Sequence, residues 1–80
     1  MKLEKIQHLD DYLFLLSFET GEVVRANLKT LIGDYVDQSQ LSSARVDSDW
    51  GCLAFNNGQV DIDPKTLCQF VMTQKYQQAA

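Results

Sequence analysis

Four aspartates near the end of the chain form its most suggestive chemical pattern. They make two Asp-x-Asp pairs on either side of a predicted hairpin: Asp47, Asp49, Asp61 and Asp63. Hard cations such as Ca²⁺ and Mg²⁺ bind where several carboxylate oxygens converge, so these residues are candidate metal ligands. Alternatively, Asp47 and Asp49 bond to backbone groups in a turn and Asp63 caps a helix. We expect this second role, with no bound metal or cofactor.

His8 and the two cysteines are the residues that could carry out nucleophilic catalysis. Cys52 or Cys68 could attack with His8 as the base, but such a pair needs hydrogen-bond reach and a third group to orient the base. Nothing in the spacing indicates that arrangement. We expect His8 at the exposed or half-buried end of the first strand, the cysteines as small hydrophobic residues, and no enzymatic activity.

Three large side chains are candidate interaction residues. Trp50, the only tryptophan, lies in a predicted turn, where its indole either covers the edge of the core, which is the position we expect, or contacts a partner. Met72 and Tyr76 lie in the last predicted helix and form an exposed apolar patch if the sheet leaves them uncovered. The predicted partner is a protein or a second copy of this chain, with a dimer favoured.

Size and composition limit the classes of function. The chain has 80 residues, 45% of them hydrophobic, which predicts one domain with a small core that gains stability from association. The net charge of −4, from 7 basic and 11 acidic residues, disfavours direct binding of nucleic acid. The sequence shows no Cys-x-x-Cys motif, signal peptide or membrane-spanning apolar run, which predicts a cytoplasmic protein.

Patterns in the first half predict a three-stranded meander followed by a helix. Strands are expected at residues 3–9, 12–18 and 23–26. Turns are expected at Asp10-Asp11 and at Gly21, residue types that accept tight backbone conformations. The second strand is apolar on both faces, which predicts that it is central. Asn27 is predicted to cap a short helix over residues 28–35 that is interrupted near Gly33.

The second half predicts another meander and a longer helix. Residues 37–43 are expected to form a polar connection or a turn of helix, and strands are expected at residues 44–47, 52–55 and 59–62. Asp63-Pro64 predicts the start of a helix that reaches Tyr76. We therefore expect an α+β domain over residues 1–76, with one antiparallel sheet of five or six short strands, both helices on one face, and a polar tail at 77–80.

Two groups of residues match a known family pattern. The first contains Asp10-Asp11-Tyr12, Leu15, Phe18, Gly21 and Glu22. The second, more specific group contains Val46-Asp47, Asp49-Trp50-Gly51, Leu53, Phe55, Asn57-Gly58, Asp63-Pro64 and Leu67. On these residues the chain resembles the domain of unknown function 2442 family over almost its whole length. Two departures are a segment from Gly58 to Asp63 that is one residue longer, and Asn56 where a proline often stands.

The resemblance implies a small bacterial α+β protein whose relatives have no assigned activity. Some relatives carry an added helix-turn-helix domain, for which this chain has no room, or occur beside toxin–antitoxin partners. The leading hypothesis is therefore a non-catalytic protein–protein interaction or regulatory module. The alternative hypothesis is a small-molecule or metal-binding module that uses the aspartate-rich hairpin around Trp50.

Overall fold

The computed structural model describes the backbone of residues 1–79 and the side chains of residues 1–74. Its strands are β1 (Leu3–Asp10), β2 (Leu13–Phe18), β3 (Val23–Asn27), β4 (Arg45–Asp47), β5 (Cys52–Phe55) and β6 (Val60–Ile62). Its α-helices are α1 (Lys29–Ile32) and α2 (Pro64–Ala79), with 3₁₀ helices at Gln38–Ser43 and Asn56–Gly58. None of the helices in this part of the chain is long and apolar enough to cross a bilayer.

Sheet A contains β1, β2 and β3 in that order, with antiparallel pairing throughout. This arrangement confirms the first predicted meander and the central position of β2. Its turns use backbone with positive φ, at Asp11 (φ 50°) and at Gly21 (φ 91°), as the residue types predicted. The inner face at β2 is buried. It consists of Tyr12, directly before the strand, and of Phe14, Leu16 and Phe18 within it.

Sheet B contains β4, β5 and β6 in that order and confirms the second predicted meander. The prediction of a single sheet of five or six strands is wrong, because the meanders form two separate three-stranded sheets. One backbone bond joins them, in which the Leu3 N–H donates to the Gly51 carbonyl at 3.0 Å. The pairing of β1 with β2 is irregular at the same place, between Leu3 and Lys5.

One hydrophobic core is shared by both sheets and the helices. Phe14 of β2 meets Phe55 of β5 edge to face, with ring centroids 6.1 Å apart. The buried Tyr12 hydroxyl donates to the Val36 carbonyl at 2.6 Å, which satisfies a polar group inside the core. The helical segments and the turn after α1 add Leu28, Ile32, Val36, Leu41, Leu67 and Val71.

The first helix ends at Ile32, directly before Gly33, which is where the predicted helix over residues 28–35 is interrupted. The prediction of Asn27 as the N-cap is wrong by one residue, because Leu28 occupies that position. The Asn27 side-chain oxygen still accepts the Lys29 N–H at 3.0 Å. After Ile32 the chain turns, and the Val36 N–H donates to the Ile32 carbonyl at 2.9 Å. The helix ends early because this turn brings Val36 into the core.

The last helix starts where the sequence predicted and ends later. It begins at Pro64, directly after Asp63. It continues to Ala79, so residues 77–79 are helical rather than a tail. Glutamine and alanine are good helix formers, and nothing in these residues stops a helix that is already established.

Gly51→Ala should weaken the junction between the two sheets. Gly51 has φ +69°, and a Cβ there would press on the Lys2 side chain and lie 2.9 Å from Lys2 Cα. We expect the free energy of unfolding to fall by about 2 to 4 kcal/mol, from backbone strain and overpacking together. Urea unfolding followed by circular dichroism measures this loss.

The matched control is Gly58→Ala. Gly58 has φ +89° but open space where the Cβ would lie, so the substitution adds backbone strain alone and should cost about 1 to 2 kcal/mol. Equal losses in the two variants would contradict a tight contact between Gly51 and Lys2.

Candidate interaction surfaces

The turn between β4 and β5 presents Trp50 to solvent, with 71% of the residue exposed. The Asp47 carboxylate accepts the Asp49 N–H at 3.0 Å, and the Gly51 N–H donates to the Asp47 carbonyl at 2.6 Å. Lys2 Nζ donates to the Asp49 carbonyl at 3.2 Å. Of the two positions considered for Trp50, the edge of the core is wrong and the exposed position is observed.

The predicted aspartates have separate structural tasks. The Asp63 carboxylate accepts the Thr66 N–H and the Thr66 hydroxyl, both at 2.8 Å, and so caps α2. These bonds hold the pKa of the Asp63 carboxyl below its usual range. Asp47 shapes the Trp50 turn through its carboxylate, while Asp49 contributes its backbone N–H and carbonyl instead of its side chain. Among the residues that the structure describes, no three His, Cys, Asp or Glu side chains come together in a group that could hold a metal ion.

Cys52 lies on the outer face of sheet B, opposite the core. Burial raises the pKa of its thiol, and the carboxylates of Asp61, Asp47 and Asp63 raise it further. A thiol with a raised pKa stays protonated at neutral pH and is a poor nucleophile. The position of Cys52 therefore favours the packing role expected of it over a catalytic one.

His8 lies near the end of β1 and is exposed, which is one of the two positions expected for it. Its Nε2–H donates to the Asp11 carbonyl at 2.5 Å, and its ring stacks on Phe14 with centroids 4.8 Å apart. Among the described side chains, no hydrogen bond joins His8 to Cys52 or Cys68. The imidazole thus supports the β1–β2 hairpin.

Apolar side chains remain exposed on α2 and on sheet A. Met72 is 52% exposed, as its interaction role requires, while the Tyr76 side chain lies outside the described residues. Leu13 and Leu15 of β2 point away from the core and are only half-buried. Val23, which pairs with Ser17 on the same face, is 57% exposed. We call Leu13, Leu15 and Val23 the outer apolar row.

Sequence reasoning identified the two apolar faces of β2 but missed the outer apolar row as a surface. The available signal was the alternation of the strand, since Leu13 and Leu15 would have to lie opposite Phe14 and Leu16. Without knowing that both helices and sheet B pack on the same side of sheet A, the second face could not be recognised as uncovered.

A groove of about 270 Å³ runs between β3 and α2. Its walls are the strand from Glu22 to Ala26 and the helix residues Val71 and Gln74. The Gln74 side-chain oxygen accepts the Asn27 N–H at 3.2 Å, and its amide NH₂ donates to the Asn27 carbonyl. No sequence signal distinguishes Gln74 from the other polar residues of α2, so this site was also missed.

Comparisons of the chain with protein-family models, curated proteins and solved structures give no match. The resemblance to the domain of unknown function 2442 family therefore stays a prediction. The candidate function must be argued from the geometry described above.

Asp63→Ala should destabilise the protein at neutral pH and matter less in acid. Because its folded-state pKa is lowered, the carboxylate contributes stability that is fully present above its ordinary pKa and is lost as pH falls through the folded value. Urea midpoints of wild type and Asp63→Ala should therefore converge as the pH is lowered. Asp63→Asn, which keeps a capping oxygen, should lose less at pH 7. A pH-independent difference between wild type and Asp63→Ala would contradict this assignment.

Proposed function

We propose that this chain is a non-catalytic protein–protein interaction or regulatory module that works as a homo-oligomer, with a dimer favoured. The observation that carries the proposal is the outer apolar row on sheet A. An antiparallel sheet with one solvated face normally alternates apolar residues inside with polar residues outside. Here two of the three outward positions of β2, Leu13 and Leu15, are also apolar, while the third is Ser17, and such a pair is expected of a strand that is covered on both faces.

The size of the domain supports the same proposal. A single core in so short a chain supplies little stability, and association is one of the usual ways in which small domains gain more buried area. Val23, which lies opposite Ser17, adds exposed apolar area to the same face of sheet A, and Trp50 and Met72 provide two further exposed apolar side chains on other surfaces. These are the kinds of side chain that dominate binding at protein interfaces.

The chemistry of the candidate catalytic residues supports a role without catalysis. His8 is bonded to the backbone of its own hairpin, and burial and three carboxylates disfavour the thiolate of Cys52. The acidic net charge of −4 supports protein rather than nucleic acid as the direct partner.

The proposed location is the cytoplasm. Cys52 and Cys68 are both free thiols, which is typical of a reducing compartment. The resemblance noted in the sequence suggests a regulatory setting like that of toxin–antitoxin pairs, and this part of the proposal rests on the resemblance alone.

The alternative function is a small-molecule or metal-binding module at the aspartate-rich hairpin. One observation favours it, a groove of about 310 Å³ on sheet B that is bordered by Arg45, Asp47 and Asp61. A cation bound there would raise the melting temperature with increasing Ca²⁺ or Mg²⁺, because ligands stabilise the state that binds them. A melting temperature that rises with either cation in wild type but not in Asp47→Asn/Asp61→Asn would support this alternative over the leading one.

Light scattering across a dilution series tests the leading proposal. We expect wild type to approach twice the monomer mass at high concentration. Leu15→Thr suits the strand but removes apolar area from the outer apolar row, and should raise the dimer dissociation constant about tenfold if that row forms the interface. Met72→Asp and Trp50→Ser test the two exposed residues predicted from sequence in the same way. A wild-type protein that is monomeric at every concentration would refute self-association.

A further inference from the structure

The outer edge of β3 carries backbone groups that sheet A does not use. The Phe18 N–H donates to the Glu22 carbonyl and the Leu28 N–H donates to the Tyr12 carbonyl, both at 2.9 Å. Backbone groups of alternate residues in a strand point to the same side. Glu22, Leu28 and the even-numbered residues between them therefore face β2, while Val23, Arg25 and Asn27 face away from it.

The Gln74 side chain hydrogen-bonds to both outward-facing backbone groups of Asn27. Its side-chain amide gives Asn27 one acceptor and one donor, which is the pair of bonds that the backbone of a neighbouring strand would provide. Val23 and Arg25 have no such partner among the described residues. Two N–H and two C=O groups therefore stay open on an exposed strand edge, which is a template for pairing with another strand.

The space beside these groups is open. The groove of about 270 Å³ extends along β3 from Glu22 to Ala26, and the apolar Val71 lies on its α2 side. At the other end of the groove Gln74 limits it. The edge can thus accept a short extended segment next to Val23 and Arg25, and a longer straight segment would meet Gln74.

We propose that the segment accepted by this edge is β3 of a second copy, paired antiparallel about a two-fold axis at Val24. This inference rests on the proposed self-association and places its interface at the edge of β3 instead of at the outer apolar row, so Leu15→Thr should then change the dimer dissociation constant little. In this register Val23 lies opposite Arg25 of the second copy, and Arg25 lies opposite Val23 of the second copy. The four open groups of each copy then bond to the four open groups of the other.

The turn at Gly21, directly before β3, favours a second copy over an unrelated peptide that continues straight along the edge. In the proposed register Gly21 of the second copy lies opposite Asn27, where Gln74 already occupies the edge. Gly21 has no side chain and belongs to a turn with φ +91°, so the second chain bends away at that point. An arbitrary extended peptide has no such turn and would have to displace Gln74.

The charges along the edge are compatible with this pairing. Glu22 lies opposite Ala26 of the second copy, and Arg25 lies opposite Val23, so no two like charges are directly opposed. Like charges directly opposed across strands are destabilising. The two sheets A then form one six-stranded sheet, and the two outer apolar rows lie on the same face of it.

Val23→Pro tests the pairing, with Val23→Thr as the matched control. Proline removes an N–H that sheet A does not use, and prolines are found on edge strands with that side facing solvent. Threonine keeps both the N–H and the β-branched shape. We expect Val23→Pro to stay monomeric at concentrations where wild type and Val23→Thr are dimers by light scattering. Unchanged circular dichroism would show that the fold is retained.

Cross-linking provides a second measurement that reads the register. In a Cys52→Ser/Cys68→Ser background, Val24→Cys should form an intermolecular disulfide on oxidation. Its position in a non-hydrogen-bonded pair on the axis brings the two Cα atoms to about 4.5 Å, within disulfide range. Val23→Cys in the same background should not cross-link, because its two copies would lie about 8 Å apart, beyond that range.

The outcomes separate this inference from the proposal on which it rests. A Val24→Cys disulfide together with a monomeric Val23→Pro supports pairing through β3. A dimer that persists in Val23→Pro without a Val24→Cys disulfide overturns the edge pairing and leaves self-association standing, with the Leu15→Thr result pointing to the outer apolar row. A wild type that is monomeric at every concentration overturns both.

Discussion

The contact between Phe14 and Phe55 is the interaction on which the rest of this structure depends. Each ring is fully buried and belongs to the middle strand of its own sheet. Outside this core the two sheets share a single backbone hydrogen bond, at Gly51. The edge-to-face pair therefore joins the middle strands of two sheets that no β-ladder connects. Around it, sheet B and the helices pack on one side of sheet A. The uncovered outer face of sheet A is the direct result.

That arrangement leaves the protein with an exposed face and an exposed edge in the same sheet. The helix α2 closes part of the edge through the side chain of Gln74, which imitates a backbone amide. Natural proteins protect strand edges in several ways, because unpaired edges associate. Here the Gln74 side chain covers the backbone groups of Asn27 but not those of Val23 and Arg25. The unpaired part of the edge is therefore short, and only a few registers of a pairing strand fit it. A short opening of this kind can be selective for one pairing partner.

Much of the local structure followed from sequence because its causes are local. Asp63 and Pro64 start a helix through their own chemistry, and Gly21 allows a turn that other residues would strain. The division into two sheets could not be predicted, since it depends on which strands pair across the chain, and no local residue pattern indicates that pairing. The pairing of Gln74 with Asn27 spans 47 residues and leaves no pattern in the sequence. Trp50 was ambiguous because turns place indoles both inside and outside cores.

The exposure of Trp50 also determines how this protein can be observed. It is the only tryptophan in the chain, and its indole already meets water in the folded state, with 71% of the residue exposed. Its emission should therefore change little on unfolding, and a denaturation curve read from it would miss the cooperative loss of the core. The same indole would shift its emission to shorter wavelength if any molecule covered the turn. The fluorescence of Trp50 should thus report binding at that turn while changing little when the protein folds or unfolds.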